Sequence, residues 1–235
     1  MLVAAAVCPC PPLLVPEVAR GASAELDDAR TACYDAVAVL AAARADRLLV
    51  VGGAEPDGRG AFPPGTRGSL RGFGVDVEVG LGKGEPGRRG LPPSLTVGAW
   101  LLERTGWRNA PVEGIGIAES LEPERCDALG RELAAGPDRL ALLVMGDGSA
   151  CRSPKAPGYH DERAAAFDAA AARALGEANT AALAALDAGL AETLRVAGRS
   201  GWQVLAGAAD GAGLAGRLLY DAAPYGVGYF VASWS

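Results

Sequence analysis

The sequence predicts an α/β fold: one domain with a central, largely parallel (mixed) sheet flanked by helices on both faces. Three observations carry this. Short apolar runs, each ended by a turn signal, recur along all 235 residues. Segments with apolar residues at helical spacing lie between those runs, and this alternation is the pattern of parallel strands joined by crossover helices. No linker and no internal repeat interrupts the chain, so residues 1–235 are read as a single domain of ordinary size.

The elements follow in order. Leu2–Val7 is an apolar run broken by Cys8-Pro9-Cys10-Pro11-Pro12, a buried strand running into a rigid turn. Ser23 offers an N-cap to a helix in which Leu26, Cys33, Val37 and Leu40 share one face up to about Ala45. Arg47–Val51 is a strand closed by Gly52-Gly53. Residues 54–93 form a Gly/Pro-rich excursion holding one alternating piece, Val75–Val79, expected as a half-exposed strand at a sheet edge. Ser94 is expected to cap a helix to Leu102, followed by a strand over Val112–Ala118 and a helix over Pro123–Ala135. Leu140–Met145 is the strongest buried-strand signal. Helices are expected over His160–Leu175 and Thr180–Val196, and strands over Gln203–Ala206 and Val227–Ala232. Leu214–Tyr220 fits either a helix or a strand.

Composition narrows the function. A net charge of −6 argues against nucleic acid as a partner, because phosphate binding calls for a basic patch. No apolar stretch approaches the roughly 20 residues of a membrane span, and Leu2–Val7 lacks the features of a signal peptide. Five cysteines, an odd number, suit free thiols in a reducing cytoplasm. The Ala, Gly, Arg and Asp excess looks like the codon bias of a GC-rich genome, which weakens arguments from single Ala or Arg positions. The phosphate-loop, dinucleotide and Gly-x-Ser-x-Gly patterns are absent.

Three strand ends carry the side chains with chemistry. Cys8 and Cys10 can ligate a soft metal, although a closed zinc site needs four ligands and no second cysteine pair follows. Gly146-Asp147-Gly148-Ser149 permits a tight turn in which Asp147 and Ser149 bond either the backbone or a ligand. Cys151 would need a base to act as a nucleophile, and the chain's one histidine, His160, lies nine residues further on. Asp210, after the expected strand over Gln203–Ala206, is a metal ligand, a general base or a turn residue.

Four stretches, in order along nearly the whole chain, resemble the B-subunit superfamily of class III extradiol ring-cleavage dioxygenases, which includes the Memo-like proteins. They are Val7-Cys8-Pro9-Cys10 through Pro16; Leu48 to Gly53; Gly146-Asp147-Gly148-Ser149 with Ala156 to Tyr159 and Phe167-Asp168; and Ala223-Pro224-Tyr225-Gly226 through Ala232. The chain looks most like the actinobacterial B-like branch. The resemblance implies the family's α/β fold, a ferrous iron centre and a tendency to associate into homo-oligomers. It also implies where the ligands should stand. The first iron histidine falls at Cys10, the second near Gly52 to Glu55, the carboxylate ligand near Asp210, and the acid–base histidine at Ala150. None of these positions is histidine, and a facial triad needs two imidazoles and a carboxylate.

The leading expectation is therefore a degenerate homologue without the family's iron chemistry, which binds a small molecule or acts as a partner protein. Cys8, Cys10, Glu55, Asp147, Ser149, Asp210 and Tyr225 are its expected pocket residues. The alternative is a metal-dependent oxidoreductase or hydrolase with a remodelled site, in which Cys10 and Asp210, with Asp147, hold iron, zinc or copper. A third reading is a thiol enzyme built on Cys8, Cys10 or Cys151.

Overall fold

In the computed structural model, which describes residues 1–85 and 87–235, most of the short apolar runs become strands, and helices fill the periodic segments between them. In chain order the elements are β1 (Leu2–Cys8), α1 (Pro16–Ala19), α2 (Asp27–Ala42), β2 (Arg47–Gly53), β3 (Gly60–Phe62), β4 (Arg67–Ser69), β5 (Glu78–Gly80) and α3 (Pro93–Arg104). They continue as β6 (Val112–Ile117), α4 (Pro123–Ala134), β7 (Leu140–Met145), α5 (Ala164–Gly176), α6 (Thr180–Ala184), α7 (Ala188–Thr193), α8 (Arg199–Ala208), β8 (Gly216–Ala222) and β9 (Tyr229–Trp234).

Seven strands form the main sheet in the order β3-β6-β2-β7-β1-β9-β8. β6, β2, β7 and β1 run parallel, while β3 and β9 add antiparallel at either side and β8 pairs antiparallel with β9. The mixed, largely parallel α/β sheet is thus as the alternation predicts. β7 lies at its centre with all six residues buried, because both of its faces are covered. Its alternate side chains serve two cores. Ala141, Leu143 and Met145 join Ala4, Ala6 and Cys8 of β1 against α2 and α3. Leu140, Leu142 and Val144 face Cys126 of α4 and the apolar sides of α5 and α8. A one-residue slip would exchange these sets, so the packing on both faces holds the register.

Several expectations are corrected. Gln203–Ala206 is the interior of α8, not a strand. The stretch between Gly201 and Gly207 is short and apolar, which mimics a strand in sequence, but Gly201 packs against Val144 and Gly207 against Asp127 as helix-face contacts. The expected single helix over Thr180–Val196 divides into α6 and α7, the second capped by Asp187 through Leu190 N–H at 2.9 Å. The expected strand over Val75–Val79 shrinks to β5, which pairs with β4 in a separate two-stranded ribbon instead of edging the main sheet. That ribbon buries Val79 in the core that also takes Leu95 of α3. Ser23 caps nothing: a 3-10 turn over Arg20–Leu26 precedes α2. Ser94 lies inside the first turn of α3, whose N-cap position is Pro92. Leu214–Tyr220 resolves as strand, forming most of β8.

Candidate functional site

The four parallel strands end on one edge of the sheet, and side chains just beyond those ends surround a cavity of about 610 Å³. Its position follows from the topology, because open parallel sheets leave a crevice beyond their carboxyl ends. Its volume lies within the range of small-molecule pockets. Cys10 enters from the turn after β1, Gly53 to Glu55 from β2, Glu119 and Ser120 from β6, and Asp147 from β7. Arg59 comes from the excursion after β2, and Pro93 and Ser94 from the start of α3. Glu192, Arg195 and Arg199 close the wall from α7, the following turn and the start of α8.

The floor is tightly determined. Asp147 Oδ1 accepts a hydrogen bond from the Cys10 backbone N–H at 2.8 Å, which ties the ends of β1 and β7 together. Gly146 is required beside it: a Cβ there would lie 2.4 Å from Gly198 Cα, because the turn before α8 crosses directly over. Gly198 N–H in turn donates to the Asp147 carbonyl at 2.8 Å. Burial pushes the Asp147 carboxyl up to about 7, against the pull of the Cys10 N–H and with help from Glu119. Burial likewise raises the Cys10 thiol well above its ordinary value, with the Asp147 and Glu119 charges adding to it. The Glu119 side chain lies over the end of β2, where a Cβ on Gly53 would come 2.9 Å from its Cγ. Its carboxyl is raised by desolvation and then by Glu55.

On the opposite wall Arg199 is 3% exposed. It donates to the carbonyls of Glu119 at 2.7 Å and Leu121, and to Gln203 Oε1 at 3.0 Å, which fixes the loop after β6 onto α8. Its Nε is buried without a partner. Ser94 Oγ donates to the Gly53 carbonyl at 2.7 Å and so closes α3 onto β2.

Of the residues expected in the pocket, Cys10, Glu55 and Asp147 line the cavity together. The other four do not. Cys8 is fully buried beside Cys33 in the core under α2. Ser149 is buried with its N–H and Oγ both given to Asp168, each at 2.8 Å, so its hydroxyl serves the loop after β7. Asp210 is exposed beyond the C-terminus of α8 and pairs with Arg131 of α4, because its segment is a helix end and not a strand end. Tyr225 packs against the α2-side core, away from the cavity. The Cys151–His160 pair is not formed. Cys151 Sγ is directed to the carbonyls of Gly158 at 3.3 Å and Leu194 at 3.4 Å, and His160 is exposed in the loop before α5.

The donor set does not fit the ferrous iron or zinc that the family resemblance implies. Among the described residues, no three His, Cys, Asp or Glu side chains come together as a metal cage. The cavity offers one thiol held in its protonated form, carboxylates and no imidazole, while Asp210 stands elsewhere. Sequence reasoning missed Arg59, Glu119, Arg195 and Arg199. The available signal was the helical face of 199–208, on which Arg199 and Gln203 fall four residues apart; reading the segment as a strand hid it.

Comparison with known proteins adds fold alone. No protein-family description matches the chain, and no curated protein matches it. A crystal structure of an uncharacterised Escherichia coli K12 protein, JW3007, superposes over 99% of this chain and 100% of its own with a TM-score of 0.60 at 14% sequence identity. Among the described residues no helix is long and apolar enough to cross a membrane.

Proposed function

We propose that this chain is a small-molecule-binding protein that uses an extradiol-dioxygenase-like fold without the family's iron chemistry. The observation that supports it is the cavity at the strand ends, whose floor is Cys10 and Asp147 where the resemblance would place an iron site. Function follows from the site and not from the fold, and this site holds a protonatable carboxyl, a thiol and arginines instead of two imidazoles. Nothing brings Cys10 and Asp210 to one point, so the remodelled metal oxidoreductase loses its proposed ligand pair. Five free cysteines support a reducing compartment, the cytoplasm, as its setting.

The test is metal content by elemental mass spectrometry on protein purified without a histidine tag, repeated after anaerobic addition of ferrous iron. The expected result is no stoichiometric metal in either state and no ring-cleavage product from catechols. Near-stoichiometric metal that disappears in Cys10→Ala would overturn the proposal and restore an oxidoreductase.

A further inference from the structure

Three arginines, Arg59, Arg195 and Arg199, are among the residues that line the cavity, and none of them forms an ion pair with a described residue. Among the described residues Arg59 and Arg195 reach only carbonyls, those of Ala54 at 3.2 Å and Pro157 at 3.3 Å. Arg199 is the decisive one. Its hydrogen bonds to the loop after β6 are of a kind that neutral donors also make, so they account for its shape and not for its charge. A buried charge without a counterion is costly, and a bound anion is one way to offset that cost in a cavity wall. The geometry of α8 adds to this. The helix begins at Arg199 against the cavity, so the positive end of its dipole lies at that wall.

Four carboxyls face the same space. Glu55, Glu119, Asp147 and Glu192 stand apart from the guanidiniums, since no pair of them comes within ion-pair distance. Asp147 and Glu119, the two nearest the floor, are both held toward the protonated form by burial. A protonated carboxyl beside an anion is a hydrogen-bond donor.

We infer that the cavity takes a small organic anion whose carboxylate or phosphate group is held on the Arg199–Arg195 wall at the start of α8. This deepens the small-molecule reading and rests on it. Its ligand class is set by charge, and its size by the cavity of about 610 Å³.

The full chain is titrated with inorganic phosphate and with benzoate at constant ionic strength, and binding is followed by thermal shift and by the amide NMR signals of Cys10 and Arg195. Benzylamine and benzyl alcohol serve as cationic and neutral probes of the benzoate shape. At least one anion is expected to saturate, and Arg199→Gln and Arg195→Gln are expected to weaken it at least about tenfold. Arg131→Gln, a surface arginine on α4, should leave it unchanged. Should Arg199→Gln fail to fold, the exposed Arg195→Gln carries the test. The inference falls if neither anion saturates, or if affinity survives in the folded arginine variants. Benzylamine or benzyl alcohol shifting the cavity signals without either anion would sink it while leaving the small-molecule reading intact. Silence from every probe would count against both, and phosphate without benzoate, or the reverse, would separate the two anion types.

Discussion

Asp147 is the residue in which local structure and chemistry meet. Its carboxyl accepts the Cys10 N–H, an arrangement that favours ionisation, yet burial outweighs it and raises the group from 3.8 to about 7. A folded-state value above the unfolded one means that the fold prefers the protonated form. The associated stability is complete below about pH 4 and is lost as pH rises through about 7. Asp147→Asn keeps an oxygen for the Cys10 N–H and removes the titration. At pH 8 it should therefore be more stable than the wild type by about 4 kcal/mol, with the difference vanishing near pH 4. Urea unfolding at the two pH values measures this, and a pH-independent difference would show that the carboxyl is not held up. Cysteine chemistry belongs to the same scale. Burial raises Cys10, Cys33 and Cys151, and takes Cys126 to about 11. Disulfide reagents at pH 8 should label native protein slowly at every cysteine and all five on unfolding. One fast-reacting thiol would revive a thiol enzyme.

At the scale of elements, α8 connects the site to the core. It crosses α4 closely enough that Gly130 faces the Val204 carbonyl, where a Cβ would lie 2.1 Å away, and Gly207 faces the Asp127 carbonyl, where it would lie 2.3 Å away. Neither neighbour is a flexible side-chain end, so the helices must separate to admit a methyl group. Gly130→Ala and Gly207→Ala should each cost about 2–3 kcal/mol in chemical denaturation. Because Arg199 starts this helix, they should also weaken anion binding without touching the cavity. A wild-type Tm in Gly130→Ala would mean that the two helices do not approach this closely. On the same face of the sheet the loop after β7 depends on Asp168 of α5. This carboxylate is 1% exposed and accepts from Ser149 N–H, Ser149 Oγ and Arg152. Its pairing with Arg152, at 3.0 Å, leaves a buried guanidinium-facing gap if the carboxylate is removed. Asp168→Ala should therefore destabilise the protein by about 3 kcal/mol.

For the whole molecule, the central position of β7 and the two-sided burial of the parallel strands explain how an aromatic-poor chain builds two continuous cores from Ala, Val and Leu. The same arrangement brings the ends of β1, β2, β6 and β7 to one edge, so residues from positions 10, 55, 119 and 147 meet around one cavity. A net charge of −6 sets a further expectation. Fluorescence anisotropy with duplex DNA should show no salt-dependent binding, whereas a basic surface stripe would produce a steep salt slope.

The strands were legible because apolar runs of strand length have few alternatives once they must be buried on both faces: β1, β2, β6, β7 and β9 all lie where those runs lie. Cys10 and Asp147 were legible for a related reason, since each directly follows such a run and a strand end points into the crevice. The sequence by itself thus determined the α/β class and two residues of the cavity floor. It could not determine α8, because a short apolar stretch between glycines satisfies strand and helix equally until Gly207 is seen against α4. That one ambiguity moved Asp210 to the surface and concealed Arg199. Which charges face each other across a cavity is a property of helices packed from distant parts of the chain. Only the tertiary structure decides it, because the free energy of a buried charge depends on what surrounds it and not on its neighbours in sequence.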